Sequence, residues 1–136
     1  MNWDEQLNLG IEEIDEQHKT LVLHVSKFAK AYKSGTGKQA ALEILEFLEK
    51  YVDEHFATEE RYMLQYDYPG YSEHAALHSE FRAKLISYKE EYYSQKGLSN
   101  YAVAKMLEMT LKWLVEHIKV ADKKYGVFIK NKMQSV

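Results

Sequence analysis

Seven polar residues, His18, His55, Glu59, His74, His78, His117 and Asp122, occupy helix-stripe positions where a bundle ordinarily places leucine. Polar groups at core positions cost folding free energy unless each finds a partner. Few architectures remain open to such a chain. It must gather these side chains around something that satisfies them, and a pair of metal ions is the economical candidate.

The stripes themselves argue for helix, because apolar residues recur at 3-4 spacing. The first reads Ile11, Ile14, His18, Leu21, Val25, Phe28, Tyr32, and the second Ala41, Leu45, Leu48, Val52, His55, Glu59, Tyr62. The third reads His74, His78, Phe81, Leu85, Tyr88, Tyr92, and the fourth Val103, Met106, Thr110, Trp113, His117, Val120. Breakers at Ser34-Gly35-Thr36-Gly37, Tyr68-Pro69-Gly70 and Gly97-Leu98-Ser99 separate the four segments. Helices are expected over about residues 12–34, 39–66, 72–96 and 100–131, with Ser72 and Ser99 capping the third and fourth. Short loops between long helices make neighbours antiparallel. The expected fold is therefore all-α, an up-down-up-down antiparallel four-helix bundle with an N-terminal arm, in a single domain over residues 1–136.

Within that bundle the seven residues share one level. His18 comes early in its helix, His55 and Glu59 late, His74 and His78 early, and His117 and Asp122 late. In an antiparallel arrangement, early-late-early-late is one end of the molecule. His55 and Glu59 are four apart, as are His74 and His78, so each pair shares a helix face. His117 and Asp122 are five apart, which places them roughly 140° from one another on a regular α-helix. Either a π-type turn intervenes there, or the two side chains reach the site from opposite flanks.

Ligand arithmetic favours two ions. Five imidazoles and two carboxylates exceed what one ion accepts, and a structural zinc takes four. If Glu59 and Asp122 each bridge two ions and an oxo or hydroxo group joins them, about eleven of the twelve positions of two octahedra are filled. The ion with three histidines is saturated, and the ion with two keeps one open position for a small ligand. Imidazole with carboxylate suits iron, and also zinc or manganese. The zincin motif is absent, since His74-Ala75-Ala76-Leu77-His78 has alanine where the general base belongs. The Glu-x-x-His pairs of ferritin-like carboxylate sites are absent too. A site rich in histidine and poor in carboxylate favours reversible ligand binding over oxidation chemistry.

Composition narrows the remaining classes. The chain has no cysteine, so disulfides, thiolate ligands, iron–sulfur clusters and cysteine nucleophiles are excluded. Its net charge of -3 offers no general basic field for nucleic acid. The start lacks the basic and apolar regions of a signal peptide, and no run approaches the ~20 apolar residues of a membrane span. The expected location is the cytoplasm. The 11 tyrosines are read as core and boundary packing.

The residues around the seven carry a resemblance. Residues 3–10, Ile14 to Leu21 around His18, His55-Phe56-x-x-Glu59-Glu60-x-Tyr62-Met63, Tyr68-Pro69, His74-x-x-x-His78-x-x-Phe81 and Trp113-Leu114-x-x-His117-Ile118-x-x-x-Asp122 match in order and spacing. Over nearly its whole length the chain resembles the bacterial hemerythrins, single-domain non-haem di-iron dioxygen carriers. The related myohemerythrins are up-down-up-down bundles. The resemblance implies two iron ions as cofactor. His74, His78 and His117 would hold the saturated iron, and His18 and His55 the iron where dioxygen docks. Glu59 and Asp122 would bridge them.

Leu21, Phe56, Trp113, Leu114 and Ile118 stand next to these positions and form the expected oxygen pocket, whose dry lining would slow oxidation to the inert diferric state. His24 is expected at a surface or boundary, and Glu60 as a solvated charge. Asp15 and Glu16 are assigned to the first helical turn through its dipole. Trp3 is expected to pack the arm onto the bundle. The function expected is reversible dioxygen binding by a monomer that is not an enzyme. It would serve storage, transport or delivery to an oxygen-consuming enzyme. The alternative is an oxygen or redox sensor acting through a partner, since a sensor normally needs an output domain and this sequence stops soon after its fourth helix. A di-iron peroxidase or nitric oxide-handling enzyme lacks a redox cysteine and an evident acid. Iron storage is disfavoured because two ions are a poor store.

Overall fold

A computed structural model describes residues 7–134, so the expectation for Trp3 lies outside the described residues. Helix α1 spans Glu12–Lys33, α2 Gly37–Gln65 and α3 Tyr71–Gln95. The fourth rod is composite: α4 (Asn100–Glu116), a π-helical turn (His117–Asp122) and α5 (Lys123–Gln134) follow one another without a break. The rods form the up-down-up-down bundle. α1 packs on α2 and α4, and α2 packs on α3. α3 and α4, the remaining neighbours, stand further apart. No helix among the described residues is long and apolar enough to cross a membrane.

The π turn decides between the two explanations of the fivefold spacing. Hydrogen bonding to the fifth residue makes i and i+5 the axial neighbours, so His117 and Asp122 both face the core and both are buried. The extra residue must go somewhere, and Val120 is displaced. The regular stripe put it inside, yet it is 70% exposed.

Ser99 caps α4, its hydroxyl accepting from the Ala102 amide at 3.1 Å. Ser72 does not cap α3. The helix begins one residue earlier, at Tyr71, with Gly70 before it and no side-chain cap. A Cβ at Gly70 would lie 2.8 Å from the Tyr68 ring, so the close turn after Pro69 requires glycine and draws the helix start forward.

The polar layer divides the core in two. The larger cluster includes Leu21, Val25, Leu48, Val52, Phe81, Met106 and Leu114. The smaller one, toward the opposite end, is Leu9, Ile11, Ile14, Met63, Tyr68, Tyr125 and Ile129. The arm contributes to both, with Leu7 in the first and Leu9 in the second. Asp15 does more than face a helix dipole: its carboxylate is buried and accepts from the amides of Leu9 at 2.7 Å and Gly10 at 3.0 Å, tying the arm to α1. Glu16 is exposed and pairs only with Lys19.

Candidate metal centre

The structure brings all seven predicted residues into one buried cluster. α1 supplies His18, α2 His55 and Glu59, α3 His74 and His78, and the π turn His117 and Asp122. They fall into two overlapping sets whose donor atoms lie within 4.8 Å of one another. One set is His74, His78, His117, Glu59 and Asp122, and the other is His18, His55, Glu59 and Asp122. Both carboxylates belong to both sets. Asp122 divides its oxygens between them, with Oδ1 2.9 Å from the Nε2 atoms of His74 and His117 and Oδ2 2.9 Å from His18 Nε2. Glu59 Oε1 lies 3.2 Å from both His55 Nε2 and His78 Nε2.

These approaches lack the direction of hydrogen bonds. Both ring nitrogens of His18, Nε2 of His74, Oε1 of Glu59 and both oxygens of Asp122 are buried without a hydrogen-bond partner. Each such group costs about 1–3 kcal/mol. The outer contacts sharpen the point. His55 Nδ1 donates to Gln17 Oε1 at 2.7 Å, and the Gln17 amide is oriented in turn by donating to the Thr58 hydroxyl. His78 Nδ1 donates to Glu60 Oε2 at 2.9 Å. With Nδ1 donating outward, Nε2 of each ring is the atom turned toward a carboxylate oxygen. A lone pair there would face a lone pair, and a cation between them removes the conflict. Two sets sharing two carboxylates are suited to holding two metal ions.

The titration behaviour of the metal-free cluster follows from its charges. Burial drives His18 down, but the adjacent carboxylates of Asp122 and Glu59 outweigh it and raise the imidazole to about 9. Burial prevails at His55 and lowers it. Burial would raise Glu59, yet His55, His18 and His78 hold it well below the usual carboxylate range. Burial and Glu59 likewise oppose ionisation of Asp122, and His117 and His18 overcome both.

Beside the two-histidine set lies an internal cavity of about 10 Å³. That is room for about one small molecule. Leu21, Phe56, Trp113 and Leu114 line it, with Val25, Leu48, Val52, Phe81 and Thr110, which sequence reasoning did not single out. Ile118 is not among its lining residues; the side chain is fully buried in the larger core cluster. Three further groups were missed. Gln17 and Glu60 adjoin ligand positions in sequence but serve histidines on other helices. Tyr125, fully buried, donates its hydroxyl to Glu59 Oε2. Burial and the carboxylates of Glu59 and Asp122 push that phenol well above its ordinary value, so it stays protonated. Glu60 is accordingly not a free surface charge. His24 stands apart from the cluster, half-buried, stacked 3.6 Å from Phe47 and donating to the Thr20 carbonyl.

Comparison with known proteins agrees with this geometry. Residues 9–128 match the family model described as the hemerythrin HHE cation binding domain. A myohemerythrin of Theromyzon tessulatum is 32% identical over 123 residues, covering 90% of this chain and 88% of its own. A myohemerythrin of Riftia pachyptila is similar to the same extent. A bacteriohemerythrin of Stenotrophomonas maltophilia is 27% identical over 128 residues, covering 94% and 80%.

Proposed function

Because the chain belongs to the hemerythrin family, we propose that it binds dioxygen reversibly at a di-iron centre held by His18, His55, Glu59, His74, His78, His117 and Asp122. The iron pair, when bound, supplies the electrons and the open position that dioxygen needs. The side chains do the rest. His74, His78 and His117, with the two carboxylates, fill one half of the centre. His18 and His55 would hold the other half with one histidine fewer, and both line the cavity.

The observation that carries this reading is the cavity itself. A space of about 10 Å³ is about the room that one water needs, so it favours a ligand of very few atoms and excludes any organic substrate. Apart from His18, His55, His117 and Asp122 of the centre itself, its lining is mostly apolar, and its one hydroxyl is already engaged, Thr110 donating to the Leu107 carbonyl at 3.0 Å. No free acid stands there to complete reduction of a bound ligand. Binding and release are favoured over turnover, and the role is storage, transport or delivery to an oxygen-consuming enzyme.

The test is the visible spectrum of the diferrous protein, with iron quantified, cycled between argon and air. Charge-transfer bands that appear in air and vanish under argon, at two irons per chain, are expected. Irreversible conversion to a diferric spectrum would favour a sensor or an enzyme. Absence of iron would overturn the ligand assignment.

A further inference from the structure

The centre has a second approach, and it differs chemically from the first. Between α3 and α4 runs an open groove of about 640 Å³. Leu77 and Glu80 form one wall, Met109, Lys112 and Val120 the other, and Trp113 and His117 lie at its floor. Trp113 and His117 also line the internal cavity, so their rings are the partition between solvent and centre. They stack at 4.2 Å. His117 alone among the seven residues borders both spaces. Part of the wall is the π turn, where the regular α-helical hydrogen bonding of the fourth rod is interrupted.

We propose that this groove is the path by which iron enters and leaves the centre, with His117 the first ligand the ion meets. A hydrated divalent cation cannot cross the aliphatic wall around Leu21, Val25 and Leu48 without losing its water. In the groove it keeps that water up to the Trp113–His117 edge. The mouth carries two carboxylates, Glu80 and Glu116, and two ammonium groups, Lys84 and Lys112. With no net charge, the path is selected by polarity and width and not by an attracting field. The inference rests on the di-iron reading above.

The experiment follows ferrous ion leaving the anaerobic diferrous protein into excess of a ferrous chelator. Val120→Trp and Leu77→Trp, which narrow the groove from opposite walls, are expected to slow the loss by about tenfold. Leu77→Ala, which widens it, should speed the loss. Val127→Trp, an exposed site outside the groove with an exposure between those of Leu77 and Val120, should leave the rate at the wild-type value. Equal rates in all four variants would overturn the path. So would a wild-type rate that rises with urea in step with global unfolding, since iron would then leave only through the unfolded chain. Protein that never holds two irons would fail the di-iron reading instead, a result read from iron content before any rate is measured.

Discussion

The two apolar clusters that flank the metal layer are built on opposite plans. The larger side meets His18 and His55 with Leu21, Val25, Val52 and Phe56, and it leaves a gap there. The smaller side, where Tyr68 and Tyr125 join Leu9, Ile11, Ile14, Met63 and Ile129, closes on the layer with a hydroxyl, Tyr125 on Glu59. One side keeps a gap and offers no hydroxyl to it. The other holds a carboxylate in place. A ligand-binding centre needs both, and dividing them across the layer prevents the fixed donor from reaching the ligand.

Removing a residue common to both sides should have the largest effect. Glu59→Ala, or His55→Ala beside it, is expected to abolish stoichiometric iron binding and lower the melting temperature of iron-loaded protein steeply, since metal affinity is linked to folding. Unchanged iron content and melting temperature would count against the site. Next comes the cavity side alone. Leu114→Ala should cost about 2–3 kcal/mol and hasten conversion of the oxygenated form to the diferric state; an unaltered decay in air would refute the shielding role. On the closed side, Tyr125→Phe removes a hydrogen bond to a charged group, worth about 2 kcal/mol. Thermal unfolding should register that loss, while decay of the oxygenated form changes less than in Leu114→Ala. The reverse ranking would erase the distinction between the two sides.

The smallest effect is a pH dependence that separates them further. His18 is raised from 6.5 to about 9 in the metal-free protein. Its charge therefore stabilises the metal-free fold fully below pH 6.5, and that contribution is lost as pH rises through about 9. Iron requires the neutral ring, so ferrous affinity should climb over the same window, by up to about tenfold per pH unit for that one proton. Tyr125, raised further still, contributes nothing there. Titration calorimetry with ferrous ion across pH 6–9 checks the slope, and a flat profile would remove His18 from the account.

Much of this was legible in the chain because helices convert spacing into geometry. The stripes announced four helices, the early-late alternation put seven polar residues on one level, and the fivefold spacing flagged the π turn. What escaped depends on contacts between helices. Tyr125 reads as one more core tyrosine, because its partner Glu59 is 66 residues away in sequence. Gln17 sits beside His18 yet holds His55, and Glu60 sits beside Glu59 yet holds His78. Adjacency in sequence pointed to the wrong helix in both cases. Val120 was misplaced for a different reason: a regular period was carried across a turn that breaks it.

The π turn acts as a phase shifter in an otherwise continuous rod. Everything after Asp122, including Tyr125 and Ile129 under the arm, keeps its rotational setting because the π turn absorbs one surplus residue. Deleting Lys119, exposed and without a role in the cluster, would leave His117 and the aspartate four apart, and a regular α-helix would carry both on one face. Tyr125 would still reach Glu59, and Ile129 would still pack under the arm. Wound as a regular α-helix with all its residues, the same rod would instead turn α5 by about 100° and carry Tyr125 away from Glu59.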